Sequence, residues 1–278
     1  MRAPRAFVKG ASGAYTRRVL PAPCYIISDA HLGVADRDAE RLLLAFLRDI
    51  RGDARSLVIN GDLFDFWFEW RHVIPRAGFR VLAALADLAE AGVQIVWIGG
   101  NHDCWGGEVL QRDVGVQYLL GTWRGEIAGW RTRIDHGDGL RDEEDRRYRA
   151  LRLVLRNPLA IGAFRWIHPD LGARIALGSS HASRTYRAKD GGSGLLKVAL
   201  RDLEQEPALD LLVFGHSHVP VVERAPGGAL YANAGTWLGD STYLRVTPDA
   251  VELRRFRRSS AGPSTSDLLR REPPPVRA

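Results

Sequence analysis

Five short clusters in the 278-residue chain carry side chains that bind metal ions: Ser28-Asp29-Ala30-His31, Asn60-Gly61-Asp62-Leu63-Phe64-Asp65, Gly99-Gly100-Asn101-His102-Asp103, Asp135-His136-Gly137-Asp138 and Gly215-His216-Ser217-His218. Their donors are carboxylate, amide and imidazole, which suit divalent manganese, iron, zinc or cobalt. One Asp-x-His or His-x-His alone marks nothing more than a turn. Five such clusters, each directly after an apolar run, point to one convergent site. The ligands are too many for a single ion, so two ions sharing a carboxylate is the economical arrangement.

The runs before these clusters read as buried strands: Cys24-Tyr25-Ile26-Ile27, Ser56-Leu57-Val58-Ile59, Val93 to Ile98 and Asp210 to Phe214. Helical spacing of apolar residues over Glu40–Ile50 and Phe79–Ala91 separates them. Strand and helix alternate, which predicts a layered α/β core. In such sheets the carboxyl ends of strands form the ligand crevice, so the five turns should meet in space. Glycine before a ligand lets the backbone bend and approach an ion closely. Further strands are expected at Thr132–Asp135 and Ala229–Asn233, with a hairpin over Tyr243–Arg255.

Taken in order, Asp29-x-His31, Gly61-Asp62-x-x-Asp65, Gly100-Asn101-His102-Asp103, His136-Gly137-Asp138 and Gly215-His216-x-His218 resemble the calcineurin-like metallophosphoesterases. The resemblance spans roughly residues 24–240. It implies a β-sandwich flanked by helices and a dinuclear metal site, most simply with Mn²⁺. The first ion would be held by Asp29, His31, Asp62 and His218. The second would be held by Asp62, Asn101, His136 and His216, with Asp62 bridging. His102 and Asp103 are the expected catalytic pair, with His102 placed to contact the phosphate or protonate the leaving group. Asp65, Asp103 and Asp138 are also placed to orient ligands or cap turns.

From Arg141 to about Lys197 no strand pattern occurs, and the helical patterns break at Asn157-Pro158 and His168-Pro169. This stretch is expected to be an inserted helical cap. Within the superfamily, Gly61 to Trp67, Asp145-x-x-Tyr148, Arg152, Arg156-x-Pro158 and Arg174-Ile175-Ala176 followed by Ser183 resemble the UDP-2,3-diacylglucosamine diphosphatases of lipid A synthesis. That family's best-known members carry arginine at the position of His102. The resemblance implies cleavage of a diphosphate to UMP and 2,3-diacylglucosamine 1-phosphate. The alternative is a metal-dependent phosphodiesterase or nuclease with a polar cleft. Leu151, Leu155, Ile161, Phe164, Trp166, Ile167 and Ile175 could line a chamber for acyl chains. Substrate contacts are expected from Asn101, His102, Asp145, Ser183, Arg184, Arg187, Lys189 and His216. The aromatic run Phe64 to Trp70 is expected to pack beneath the site rather than touch lipid.

Composition narrows the classes. The formal charge is +6, carried almost wholly by arginine because Lys9, Lys189 and Lys197 are the only lysines. Arginine binds phosphate through planar, paired contacts, so an anionic ligand or surface is expected; the resemblance implies a lipid-linked nucleotide as that ligand and no nucleic acid. No apolar run approaches the ~20 residues that cross a bilayer, and no apolar segment of a secretory signal follows Met1. Cys24 and Cys104 are isolated, which excludes a disulfide framework and fits a reducing cytoplasm. A cytoplasmic enzyme at the inner face of the inner membrane is expected. The organisation expected is an N-terminal arm over 1–20, the catalytic domain over 21–255 with its cap at 141–197, and a disordered tail over 256–278.

Overall fold

A computed structural model describes residues 18–187, 190–258 and 264–276, with side chains for all of these except 179–187. The chain begins with β1 (Val19–Leu20), β2 (Cys24–Ile27), α1 (Arg37–Asp49), β3 (Ser56–Asn60), α2 (Phe79–Glu90) and β4 (Gln94–Gly99). It continues through β5 (Gln117–Leu120), β6 (Trp123–Ile127) and β7 (Trp130–Ile134). Four helices follow: α3 (Arg146–Leu155), α4 (Pro158–Phe164), α5 (Pro169–Arg187) and α6 (Ser193–Gln205). The last strands are β8 (Leu211–Phe214), β9 (Val221–Arg224), β10 (Leu230–Asn233), β11 (Thr242–Thr247), β12 (Ala250–Arg257) and β13 (Thr265–Glu272).

These strands make two sheets, ordered β1-β6-β7-β8-β10-β9 and β13-β12-β11-β2-β3-β4-β5. The central strands β2, β3 and β4 are parallel, and so are β7, β8 and β10. Strands β2, β3 and β8 are buried on both faces, which is why they read as nearly unbroken apolar runs. Cys24, Ile26, Val58, Val96, Ile98, Ile134, Leu211 and Val213 fill the space between the sheets. The alternate residues Tyr25, Ile27, Leu57, Ile59 and Trp97 face α1 and α2 on the outside of the larger sheet. On the other sheet α6 covers Leu212, Phe214 and Tyr231. The result is a helix–sheet–sheet–helix stack, the layered sandwich expected.

Asp36 caps α1 by accepting from Ala39 N at 2.7 Å, and Asn157 caps α4 just before Pro158. Both helices therefore start where their sequences place a cap. Between Ile134 and Leu211 no strand is described, as expected of the insert. Its boundary needs correction, because α6 runs on to Gln205 and packs on the smaller sheet through Leu195, Val198, Ala199 and Leu203. Helices α3, α4 and α5 line the cavity beside the site.

Both chain ends also differ from expectation. Val19 and Leu20 of the N-terminal segment pair in parallel with Glu126 and Ile127, while residues 1–17 of that arm lie outside the described residues. The C-terminal tail is not disordered over 265–272: β13 pairs antiparallel along β12. Arg224 holds its end, donating to Glu272 Oε2 at 2.9 Å and to the Pro273 carbonyl at 2.7 Å. The tail's polar sequence satisfies an open sheet edge through backbone bonds, which need no apolar pattern.

Candidate metal centre

The five clusters converge at the carboxyl ends of β2, β3, β4, β7 and β8. Asp29, His31, Asp62, His136 and His216 are buried, and His218 is partly buried. Donor atoms of Asp29, His31 and His218 lie within 4.8 Å of one another, as do those of Asp62, His136 and His216. His31 Nε2 is 3.9 Å from both Asp29 Oδ1 and Asp62 Oδ2. His136 Nε2 stands 3.3 Å from Asp62 Oδ2, so Asp62 lies between the two groups.

The carboxylates of Asp29 and Asp62 are each held by one oxygen and present the other. Asp29 Oδ2 accepts from His216 N at 3.0 Å, tying one sheet's loop to the other's. Asp62 Oδ1 accepts from His102 N at 2.9 Å. Three imidazoles are oriented in the same manner. His136 Nδ1 meets the Asn60 carbonyl at 2.8 Å, and His102 Nδ1 meets the Asp65 carbonyl at 2.9 Å. A carbonyl only accepts, so in both rings the proton sits on Nδ1 and Nε2 turns to the site. His31 Nδ1 lies 3.2 Å from Asp65 Oδ1, which gives Asp65 the orienting role expected.

The backbone carries a signature that the sequence does not display. Asp29, His31, Asp62, His216 and His218 all adopt left-handed φ values, between 45° and 63°. Each costs on the order of 1–3 kcal/mol for a side chain-bearing residue. Ladder-like bonds hold two of them there: Asp29 N to the Gly61 carbonyl and His31 N to the Asp62 carbonyl. Strained residues of one conformation, all aimed at one point, mark a site selected for geometry over stability. The glycines serve close approach. A Cβ at Gly61 would collide with the His136 ring, and one at Gly100 with the Asp62 carboxylate.

The electrostatics fit cations. Burial alone would raise Asp62, but His136, and then His102 and His31, hold its carboxyl well below the usual range. Burial alone would lower His136, yet the Asp62 carboxylate raises it to about 10. Crowded carboxylates and imidazoles hold protons in this way where metal ions would otherwise sit. Asn101 Oδ1 is buried and accepts no hydrogen bond among the described residues. A donor set of two carboxylates, an amide oxygen and four imidazoles around a shared carboxylate fits two divalent ions.

Asp103 departs from its expected catalytic role. Its Oδ1 accepts from Gly100 N and Asp62 N, at 2.7 and 3.1 Å, and its Oδ2 from Leu63 N and the Trp97 indole, at 2.8 and 3.2 Å. Fully buried beneath the ligand turns, it positions them; burial and the Asp62 charge push its carboxyl up to about 6. The Asp145 carboxylate is buried and engaged by Arg141, through the backbone N at 3.0 Å and the guanidinium at 2.8 Å. Ser183, Arg184, Arg187 and Lys189 lie outside the described residues or side chains.

An apolar cavity of about 400 Å³ opens beside Asn101 and His102. Leu151, Leu155, Ile161, Phe164 and Ile175 from the cap line it, as expected, against Phe66, Phe68 and Trp105. Trp166 does not line it: it is 92% exposed at the end of α4. Ile167 is also absent from the lining. The aromatic run splits by face. Phe64 and Trp67 pack into the core beneath the larger sheet. Phe66, Phe68 and Trp70 form a separate cluster with Trp105 and Phe164. Sequence reasoning missed the contribution of Trp105, whose signal was a large aromatic two residues after the Asn-His-Asp turn.

Residues 22–220, which contain all five clusters, match the calcineurin-like phosphoesterase family. The chain belongs to that family. Among this phosphoesterase's relatives, a UDP-2,3-diacylglucosamine hydrolase of Porphyromonas gingivalis is 31% identical over 240 residues, covering 79% of this chain and 92% of that protein. Another UDP-2,3-diacylglucosamine hydrolase, from Xanthomonas oryzae pv. oryzae, is 30% identical over 245 residues, covering 83% and 97%. A solved dimetal phosphatase from Danio rerio superposes with a TM-score of 0.41 at 11% identity, covering 88% of this phosphoesterase and 98% of that chain. No helix among the described residues is long and apolar enough to cross a membrane.

Proposed function

We propose that this protein is a dinuclear-metal hydrolase that cleaves the diphosphate of UDP-2,3-diacylglucosamine to UMP and 2,3-diacylglucosamine 1-phosphate. The observation that carries this reading is the apolar cavity opening directly onto Asn101 and His102. A nucleotide diphosphate needs the polar centre, and acyl chains need an apolar chamber within reach of it. Each buried CH₂ contributes ~0.8 kcal/mol, so one chain supplies ample binding energy to hold the diphosphate in place. The relatives named UDP-2,3-diacylglucosamine hydrolase support the same substrate.

Asp29, His31, Asp62 and His218 would hold one ion, and Asp62, Asn101, His136 and His216 the other. Manganese suits this mixture of oxygen and imidazole donors. When bound, such a pair supplies charge neutralisation at the phosphate and a hydroxide nucleophile near neutral pH. His102, fixed through Nδ1, presents Nε2 at the boundary of metal centre and cavity. There, with Nδ1–H given to the Asp65 carbonyl, the doubly protonated ring would donate from Nε2 to a phosphate oxygen, or pass that second proton to the leaving oxygen and become neutral.

The cap also fits the inner face of an anionic membrane. Leu153, Leu159 and Trp166 are 76%, 83% and 92% exposed among the arginines of α3 and the turn after α4. Apolar side chains would enter the lipid interface while each cation near the surface adds roughly 1 kcal/mol. Among the described residues the cavity beside the site is lined mainly by apolar side chains, which favours acyl chains over the polar substrates of a nuclease or cyclic-nucleotide phosphodiesterase.

The test assays Mn²⁺-loaded protein in parallel on UDP-2,3-diacylglucosamine, bis-p-nitrophenyl phosphate and cyclic AMP. The lipid nucleotide should be preferred by orders of magnitude in kcat/KM. Equal or better turnover of cyclic AMP would overturn the assignment.

A further inference from the structure

Asp138 stands two residues after the ligand His136, and its side chain points the other way. Gly137 and Gly139, at φ 112° and 78°, let the loop reverse on each side of it. Thus His136 faces the ligands while Asp138 faces α3. Nearly buried there, Asp138 Oδ2 accepts from Tyr148 Oη at 2.7 Å and lies 3.4 Å from Arg156 Nη2 and 3.7 Å from Arg152 Nη1. Arg152 also donates to the Asp138 carbonyl at 3.1 Å. Residues 148, 152 and 156 are spaced four apart, so one stripe of α3 and its end meets this carboxylate. The neighbouring ligand loop reaches the same helix, since Trp105 Nε1 donates to the Leu155 carbonyl at 2.8 Å.

We propose that Asp138 is a positioning residue that registers the cap helix against the metal-bearing loop, so that the cavity and the ligands keep one fixed spacing. Residues on α3 line the cavity, and His136 stands among the ligands; the Asp138 loop is a short covalent and hydrogen-bonded path between them. A substrate anchored in the cavity by its apolar part reaches the metal centre in register only while this contact holds. The inference rests on the proposed lipid nucleotide for its kinetic consequence, but not for its structural one.

The test compares the full-length Mn²⁺-loaded protein with Asp138→Asn, Tyr148→Phe and the double variant. Backbone hydrogen exchange over residues 146–155 should speed up in both single variants, whatever the substrate. On UDP-2,3-diacylglucosamine each should raise KM roughly tenfold, the loss of one hydrogen bond to a charged group. The double variant should be no worse than Asp138→Asn alone, because the Tyr148 bond is one of the contacts that Asp138→Asn already weakens. Asp138→Asn should keep two metals per chain by elemental analysis and its turnover of bis-p-nitrophenyl phosphate. Unchanged exchange in α3, additive losses, or loss of a metal from Asp138→Asn would each overturn the proposal. A wild-type protein inert toward the lipid nucleotide, with faster exchange in the variants, would sink the substrate assignment and leave the positioning role standing.

Discussion

His31 Nε2 and His218 Nε2 face each other at 3.2 Å, although one follows β2 in the larger sheet and the other follows β8 in the smaller. His218 Nε2 also lies 3.2 Å from Asp29 Oδ1, so two ring nitrogens and a carboxylate oxygen are directed at one point, as a cation's ligands are. The site is therefore a joint between sheets: ligands of one loop are meaningful only when the other sheet is docked.

Asp62→Ala should lose both metals and all metal-dependent hydrolysis. Its Oδ2 lies 3.9 Å from His31, 3.9 Å from His102 and 3.3 Å from His136, so it stands between the two ligand groups. Elemental analysis of the purified variant decides. Two ions retained would remove Asp62 as the bridge.

Metal binding should release protons. In the metal-free protein His136, raised to about 10, is protonated at pH 7.5. Its Nδ1 proton is committed to the Asn60 carbonyl, so ligation at Nε2 must expel the other proton. Affinity should then rise with pH up to about 10. Calorimetry in two buffers of different ionisation enthalpy measures this, with about one proton expected from this group; no release would show that His136 does not ligate through Nε2.

His102→Ala should keep both ions but lose rate by about 10²–10⁴ if the ring transfers a proton. Replacement by arginine should retain more activity than alanine if the ring only contacts phosphate. Metal content of the alanine variant is the check, since His102 also lies close to His31 and Asp62. A missing ion would make it a ligand and displace Asn101.

Ile161→Glu should raise KM for the lipid substrate strongly, by placing a charge in the apolar cavity. Hydrolysis of bis-p-nitrophenyl phosphate should be largely spared, because Ile161 sits in the cap away from the ligand turns. Equal losses on both substrates would mean that the cap serves stability rather than substrate.

The convergence of the five clusters was legible in the linear chain because each follows directly on a strand, and strand ends in a parallel layer converge by topology. The apolar runs β2, β3 and β8 were legible because burial on both faces leaves a nearly unbroken pattern. Strand β13 was not, since an edge strand is held by backbone bonds that any polar sequence can make. Nor was the fate of single polar side chains in the insert. That Arg141 engages Asp145 is visible only in the fold, and Trp166 reads as a chamber wall until the turn after α4 rotates it into solvent. Residue type and spacing determined which chemistry this chain can perform. Only the folded arrangement decided which way each side chain points, because orientation depends on partners that are distant in sequence: Asp138 on Tyr148, His136 on Asn60, and Asp29 on His216.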